Sequence, residues 1–324
     1  SDHLLALLPL SFDYGLNQLL SALRVGCRIT AADHLGAGEL AELLLRTAPT
    51  GLAGVPSLWH EVASALAGGA LTPAHGRSLR YVTNSGGVLR RADSAELRRA
   101  WPHVQVFAMY GLTEAFRSAF LPPAEFDAHP ESFGRAIAGV ELLLVDPATG
   151  ALVEGPGEGE LVHAGALVAA GYWRRAVATA ARFRPDPRPD RAGETVVYSG
   201  DLVRRDAAGR HAFVARLDRL LKVHGHRVSP DEVASAFAGV TGAGEMFAFG
   251  IDAGAAGHHI VLAVAGDPAD RELGARLSRQ SRARLPSYMQ PTEIHVVREL
   301  PHNANGKVDA ARLRRMIESC TDGR

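Results

Sequence analysis

Two textures of hydrophobic and polar positions follow one another along the chain. Over the first third, stretches with helical spacing of apolar residues take turns with short apolar runs of strand length. Leu16 to Leu23 has helical spacing, and Gly26 to Ala31 reads as a short strand. Leu40 to Arg46 predicts a helix with charges on one side, Gly51 to Val55 a strand, and Leu58 to Leu66 a helix after Pro56. Arg80 to Thr83 predicts a strand running into the turn Asn84-Ser85-Gly86-Gly87. Ala92 to Ala100 predicts a helix, and Val104 to Met109 a strand that ends at Tyr110 and opens into a loop. This alternation predicts an α/β fold with a doubly wound, mostly parallel sheet. Such sheets bind ligands beyond the carboxyl ends of their strands. Gly86-Gly87 and Tyr110-Gly111 both fall at such ends.

From about Phe133 the pattern shortens. Val140 to Val145, Gly159 to His163, Val196 to Tyr198, Leu202 to Arg205 and His211 to Val214 read as separate short strands between Gly, Pro and Asp turns, a small antiparallel β subdomain. Arg182 to Ala192, rich in Pro and charge, reads as a solvated surface loop. After Asp218 the pattern is mixed. Helices are expected over Asp231 to Phe237, Arg271 to Ala283 and Ala310 to Ile317, and strands over Met246 to Ile251, His259 to Ala265 and Ile294 to Val297. The expected organisation is a large domain over 1–218, divided near 132 into sheet and β subdomains, and a separate α+β domain over 219–324.

Composition narrows the function classes. The 324 residues suffice for two or more domains. Lys plus Arg and Asp plus Glu both total 35, so no net field points to nucleic acid or a membrane surface. No apolar stretch approaches the ~20 residues that span a bilayer, and the N-terminal SDHLLALLPLSFDYG has no signal-peptide pattern. Two cysteines, Cys27 and Cys320, suit a reducing cytoplasm and give no disulfide framework or zinc site.

Three strings in fixed order carry candidate chemistry: YGLTE (Tyr110 to Glu114), YSGDLVRRD (Tyr198 to Asp206) and PHNANGKVD (Pro301 to Asp309). A fourth, LDRLLKVHGHRVSP (Leu217 to Pro230), lies between the last two. Each of the three joins a glycine turn to residues suited to phosphate, ribose or Mg²⁺: Thr113 and Glu114, then Asp201, then Lys307. Hard cations take carboxylate and phosphate oxygens, and glycine lets a backbone approach closely. Taken singly, YGLTE is a turn with an exposed Glu, NSGG a strand-to-helix turn, and Lys307 a turn lysine.

Together the strings resemble the adenylate-forming (AMP-binding) superfamily of acyl-CoA ligases, luciferases and nonribosomal peptide synthetase adenylation domains. The resemblance implies ATP-dependent activation of a carboxylic acid as acyl-AMP, with Mg²⁺, then thioester formation on CoA or a carrier-protein phosphopantetheine. It implies Tyr110 stacked on adenine, with Gly86, Gly87 and Gly111 lining that site. Thr113 would bond the α-phosphate, Glu114 would ligate Mg²⁺, and Asp201 and Arg216 would hold the ribose. Lys307 would bridge carboxylate and phosphate. Asp218 matches the hinge between the domains, and Lys222 and Gly225 the loop of the second half-reaction. LPSYMQP (Leu285 to Pro291) matches a further signature. Arg227 and Glu232 are expected to form a structural ion pair, and His224 and His226 to face solvent.

PLSFDYGLNQ (Pro9 to Gln18) matches the start of the acid pocket: Phe12, Asp13, Tyr14 and Asn17, joined by Ala53, Val82, Asn84, Met109, Arg117 and Ser118. In peptide-synthetase domains an aspartate at Asp13 pairs with a substrate α-amino group, yet FDYGLNQ also resembles stand-alone acyl-CoA ligases. Arg117 is expected to pair with Asp13; the other reading is that it faces a second acidic group of the substrate. The superfamily's phosphate loop should precede FDYG, and no such string occurs. The chain is therefore expected to be the C-terminal portion of a longer enzyme, with little ATP–pyrophosphate exchange alone. The reading of another class is an inactive nucleotide-binding or interaction fragment.

Overall fold

A computed structural model describes residues 2–33, 36–223, 226–252, 257–303 and 307–321. Gly225, His224, Asn305 and Gly306 lie outside the described residues, as does the side chain of Arg227. The chain divides into two compact units, Ser1–Phe213 and Val214–Arg324.

The first unit opens with β1 (His3–Ala6), α1 (Asp13–Val25), β2 (Arg28–Ala31), α2 (Ala37–Thr47), β3 (Gly51–Gly54), α3 (Pro56–Ala67), β4 (Tyr81–Asn84), α4 (Arg91–Ala100) and β5 (Gln105–Leu112). The strands pair in the order β2-β1-β3-β4-β5, all parallel. Parallel strands demand crossovers, and helices supply them. Proline opens α3, where its missing N–H costs nothing. One core fills the space between sheet and helices, with Leu5, Leu40, Leu44, Leu52, Trp59, Val82, Trp101 and Val106 nearly free of solvent. The doubly wound α/β class read from the sequence holds. β1 was missed because HLLA is four residues long and leads straight into the pocket segment.

The sheet then turns antiparallel through β6 (Phe116–Leu121) and, after the single turn α5 (Pro123–Phe126), β7 (Ser132–Ala136). β8 (Val140–Val145), β9 (Gly157–Gly165), α6 (Ala176–Arg182), β10 (Phe183–Pro185), β11 (Thr195–Arg205) and β12 (His211–Arg216) follow. One hydrogen-bonded path runs β5-β6-β7-β12-β11-β9-β8, so the parallel and antiparallel parts share a single twelve-stranded sheet.

Three local expectations are corrected. The YGLTE segment does not leave its strand at Tyr110: Tyr110, Gly111 and Leu112 remain in β5, and Thr113-Glu114-Ala115 form the tight loop of a hairpin. Val196–Tyr198 and Leu202–Arg205 are one strand, β11, with an irregularity between them. Arg182–Ala192 is not a free loop. Phe183 is buried in β10, and Asp186 is buried against Arg188, which reaches Glu141 at 2.5 Å, while Arg191 bonds the same Glu141 at 2.8 Å. Fixed charge pairs hide inside a Pro- and Arg-rich string because composition does not reveal partners.

The second unit holds the hairpin β13 (Leu221–Val223) and β14 (His226–Val228), then α7 (Pro230–Ser235), β15 (Ala243–Asp252), β16 (His258–Gly266), α8 (Arg271–Arg284), β17 (Glu293–Val297) and α9 (Ala310–Thr321). β16 is central, antiparallel to β15 and parallel to β17. Its alternate residues serve two cores: Ile260, Leu262 and Val264 pack with Val233, Leu273 and Leu277, and Val261 and Ala263 with Leu313 and Ile317. Ser229 and Asp270 cap α7 and α8 by accepting backbone N–H bonds.

Candidate functional site

The hairpin loop carries Glu114. Ala115 N–H bonds Leu112 C=O at 3.1 Å, and Phe116 follows at φ +50°. A turn closed by a left-handed residue is a recurrent three-residue hairpin. A phenylalanine held there costs on the order of 1–3 kcal/mol. Gly111 is required opposite: a Cβ on it would lie 2.1 Å from the Phe116 carbonyl oxygen. Thr113 stands exposed at the tip. Glu114 is clamped from two sides, its carbonyl accepting from Ala169 N at 2.8 Å and its carboxylate from the Tyr172 hydroxyl. Tyr172 is fixed in turn: its N–H bonds Thr179 Oγ1 at 2.9 Å, and its ring meets Phe183 edge-on. Sequence reasoning missed Tyr172, which lies 58 positions from Glu114 and carries no local signal beyond Gly-Tyr-Trp.

Asp201 sits in the irregularity of β11. Tyr198 pairs with Val162 and Leu202 with Glu160, so Ser199, Gly200 and Asp201 are set against Leu161 alone. Such a bulge re-aims a side chain. The serine holds the bulge together, donating to Leu161 C=O at 2.7 Å and accepting from Asp201 N–H at 3.0 Å. Gly200 adopts φ +74°, which explains the glycine before the aspartate. The Asp201 carboxylate accepts the Tyr110 hydroxyl, joining two motifs 91 positions apart. The Tyr110 ring stacks on Phe133 at 4.5 Å and on His163 at 5.7 Å. His163 was not anticipated. It is wholly buried, neither ring nitrogen has a hydrogen-bond partner, and burial pushes its pKa down to about 3.

The residues expected in the acid pocket divide by strand alternation. Ala53 registers with Thr83, and Thr83 with Phe107, so these share a face of the sheet with Met109. Tyr14 comes from α1, and its hydroxyl bonds Thr83. Val82 points the other way into the core, and Thr83 takes the Ala53–Met109 face in its place. Asn84, at the strand end, donates to Gly87 C=O at 2.8 Å and shapes the Gly86-Gly87 turn, where Gly86 has φ +84°.

Between β5 and β6 the register shifts. Tyr110 pairs with Ala119 but Gly111 with Arg117, leaving Ser118 as the extra residue, fully buried with its hydroxyl 3.5 Å from Tyr110 C=O. That shift brings Arg117 to the Met109 face. Its guanidinium lies 4.4 Å over the Tyr14 ring, donates to Ser85 Oγ, and approaches Asp13 at 3.8 Å. The expected Asp13–Arg117 pair is present. Phe12 meets the Tyr14 ring edge-on, and Asn17 follows Asp13 by one helical turn. Burial depresses the Arg117 pKa and raises that of the Tyr14 phenol.

In the second unit, Arg216 binds Asp218 with both carboxylate oxygens, at 3.1 and 2.7 Å. Lys222 is exposed and its N–H bonds His258 Nδ1 at 3.2 Å. His226 is exposed and stacks on Tyr288 at 4.1 Å. Lys307 is exposed; its N–H bonds Asn303 Oδ1 at 3.1 Å and its C=O accepts the Asn303 N–H at 2.8 Å. Among the described residues, no group of three or more His, Cys, Asp or Glu could hold a metal ion by itself, and no helix is long and apolar enough to cross a membrane.

A parallel sheet with a glycine turn at the end of β4, beside a clamped carboxylate and a buried aspartate, has the layout of open α/β sheets that bind ligands at their strand ends. Residues 1–173 match the family model "AMP-binding enzyme", and residues 232–307 the model for its C-terminal domain. The chain belongs to the AMP-binding enzyme family. It is 32% identical to a probable non-canonical nonribosomal peptide synthetase, CymA, of Salinispora arenicola, across 96% of this chain and 4% of that protein. It is 30% identical to an L-proline–[L-prolyl-carrier protein] ligase of Streptomyces coelicolor, across 94% of this chain and 56% of that protein. The fold superposes on ATP-bound MatB from Rhodopseudomonas palustris with a TM-score of 0.85, at 24% identity over 99% of this chain and 61% of the other. The chain thus spans 56% or less of the curated relatives named here.

Proposed function

We propose that this chain carries most of the active site of an ATP-dependent acid–thiol ligase. In the first step an oxygen of the acid's carboxylate attacks the α-phosphorus of ATP, the bond to the bridging oxygen of the β-phosphate breaks, and pyrophosphate leaves. In the second a thiol of CoA or a carrier-protein phosphopantetheine attacks the acyl carbon, and AMP leaves. Both steps belong to the cytoplasm, where ATP is available.

The observation carrying this reading is the linkage of two separate motifs and one distant tyrosine: Glu114 clamped by Tyr172, and Tyr110 bonded to Asp201. Residues there fit a nucleotide and a hard cation. Glu114 offers an oxygen ligand to Mg²⁺, Tyr110 an aromatic face, and Asp201 acceptors for ribose hydroxyls. A bound Mg²⁺ would neutralise phosphate charge. Thr113 is assigned to the α-phosphate, Arg216 to the ribose, and Lys307 to the carboxylate–phosphate junction, where a positioned ammonium meets developing charge. Asp218 is assigned as the hinge, with Lys222 and Gly225 serving thioester formation after domain closure. A second reading, an amino-acid-activating domain loading a carrier protein, draws on the peptide-synthetase and carrier-protein ligase relatives.

The test uses the protein as its gene encodes it. Acids are screened for acid-dependent pyrophosphate release, then CoA and carrier protein are compared as acceptors. Release with at least one acid, followed by thioester, is expected. Tight ATP binding without release for any acid would favour the inactive nucleotide-binding fragment.

A further inference from the structure

We propose that the Asp13–Arg117 pair makes the pocket select an acid whose only charge is the reacting carboxylate, and reject α-amino acids. This deepens the proposed function and rests on it.

An α-amino acid brings an ammonium beside its carboxylate, and a buried ammonium needs an anion. Among the pocket side chains described above, Asp13 is the one carboxylate. It faces Arg117 at 3.8 Å, and both side chains are nearly buried, 12% and 11% exposed. Each charge is therefore the counter-ion of the other. Adding an ammonium at Asp13 would set two cations around one carboxylate. Adding a second substrate carboxylate at Arg117 would set two anions around one guanidinium. A neutral polar group disturbs neither balance.

The geometry also leaves hydrogen-bonding capacity for such a group. A guanidinium has five N–H donors. One goes to Ser85, and the Nε is buried without a partner. At 3.8 Å the Asp13–Arg117 contact is beyond hydrogen-bond reach. A hydroxyl placed between them could donate to Asp13 and accept from Arg117, and a carbonyl could accept from Arg117. Arg117 is held in place: Tyr14 covers its face, Gly111 lies close beneath, and the Ser118 register shift fixes its direction.

The test measures binding by the protein as its gene encodes it, with 5′-O-sulfamoyl adenosines of 2-hydroxybutanoate, 2-aminobutanoate and succinate as adenylate mimics. The hydroxy compound is expected to bind at least tenfold more tightly than either other. Arg117→Gln should narrow the gap to the amino compound. Equal or tighter binding of the amino compound by the wild type would overturn the proposal, and so would tightest binding of the succinate compound. Either outcome leaves the ligase reading standing. Binding of none of the three would remove the ligase reading and this inference with it. The wild-type comparison decides the matter even if Arg117→Gln fails to fold.

Discussion

The proposed nucleotide side and the proposed acid side of the first unit are built by opposite means. On the nucleotide side, backbone irregularities aim each polar group: a left-handed Phe116 beside Glu114, and a bulge at Ser199-Gly200 beneath Asp201. Their glycines and hydroxyls lie within a few residues of the group they serve, so they form motifs. On the acid side, contacts between distant segments do the aiming. Asp13 and Tyr14 come from α1, Thr83 and Ser85 from β4 and the turn after it, and Arg117 from β6. The first arrangement suits chemistry that does not vary. The second can change its substrate by a single contact.

The largest expected effect separates the two sides most sharply. Glu114→Gln keeps shape and removes charge. It should lower acid-dependent pyrophosphate release on the order of 100-fold, as loss of one electrostatic stabiliser typically does, without changing which acid is preferred. A change of preference would show that the two sides are not independent. Next, Asp13→Asn leaves Arg117 as an unpaired, buried cation. Breaking a buried pair costs about 3 kcal/mol, so the urea midpoint of unfolding should fall clearly while AMP affinity holds. An unchanged midpoint would show the pair to be solvated. Tyr172→Phe removes one hydrogen bond to a carboxylate, worth about 1.5 kcal/mol or roughly tenfold. The expected signature is a raised Mg²⁺ requirement, recovered at high Mg²⁺; a uniform loss at every Mg²⁺ concentration would make Tyr172 a packing residue only.

A last effect concerns acid stability. The folded pKa of His163 lies near 3 because burial disfavours the charged ring, while an unfolded histidine titrates near 6.5. Between these values the unfolded state binds the extra proton. Stability from this residue is therefore complete above about 6.5 and falls by roughly 1.4 kcal/mol per pH unit below it. His163→Ile should flatten that decline. Denaturant curves at pH 7 and pH 5 measure it, and parallel declines for both proteins would contradict it.

The same division explains what could be read without coordinates. Strand–helix alternation, the glycine-bent end of β4 and the motif order were legible, because each depends on local spacing. Even Asp13–Arg117 was foreseeable, since charge invites a partner. Tyr172, Thr83 and His163 were not. Thr83 replaces Val82 only because β3 and β4 register in one particular way, and Tyr172 reaches Glu114 across a fold that no short window contains. The Arg- and Pro-rich Arg182–Ala192 misled because its charges are spent on Glu141 and Asp186 rather than on water.

The extra residue at Ser118 has a consequence for how such pockets diverge. A one-residue slip in a strand exchanges its two faces. With Ser118 drawn into the ladder opposite Gly111, Arg117 would pair with Leu112 and turn toward the opposite side of the sheet. The charged wall of the pocket therefore depends on where the hairpin takes up its extra residue, as much as on which residues line it. Insertions and deletions in this hairpin, and not point substitutions alone, are a route by which one ancestral scaffold could trade one class of acid for another.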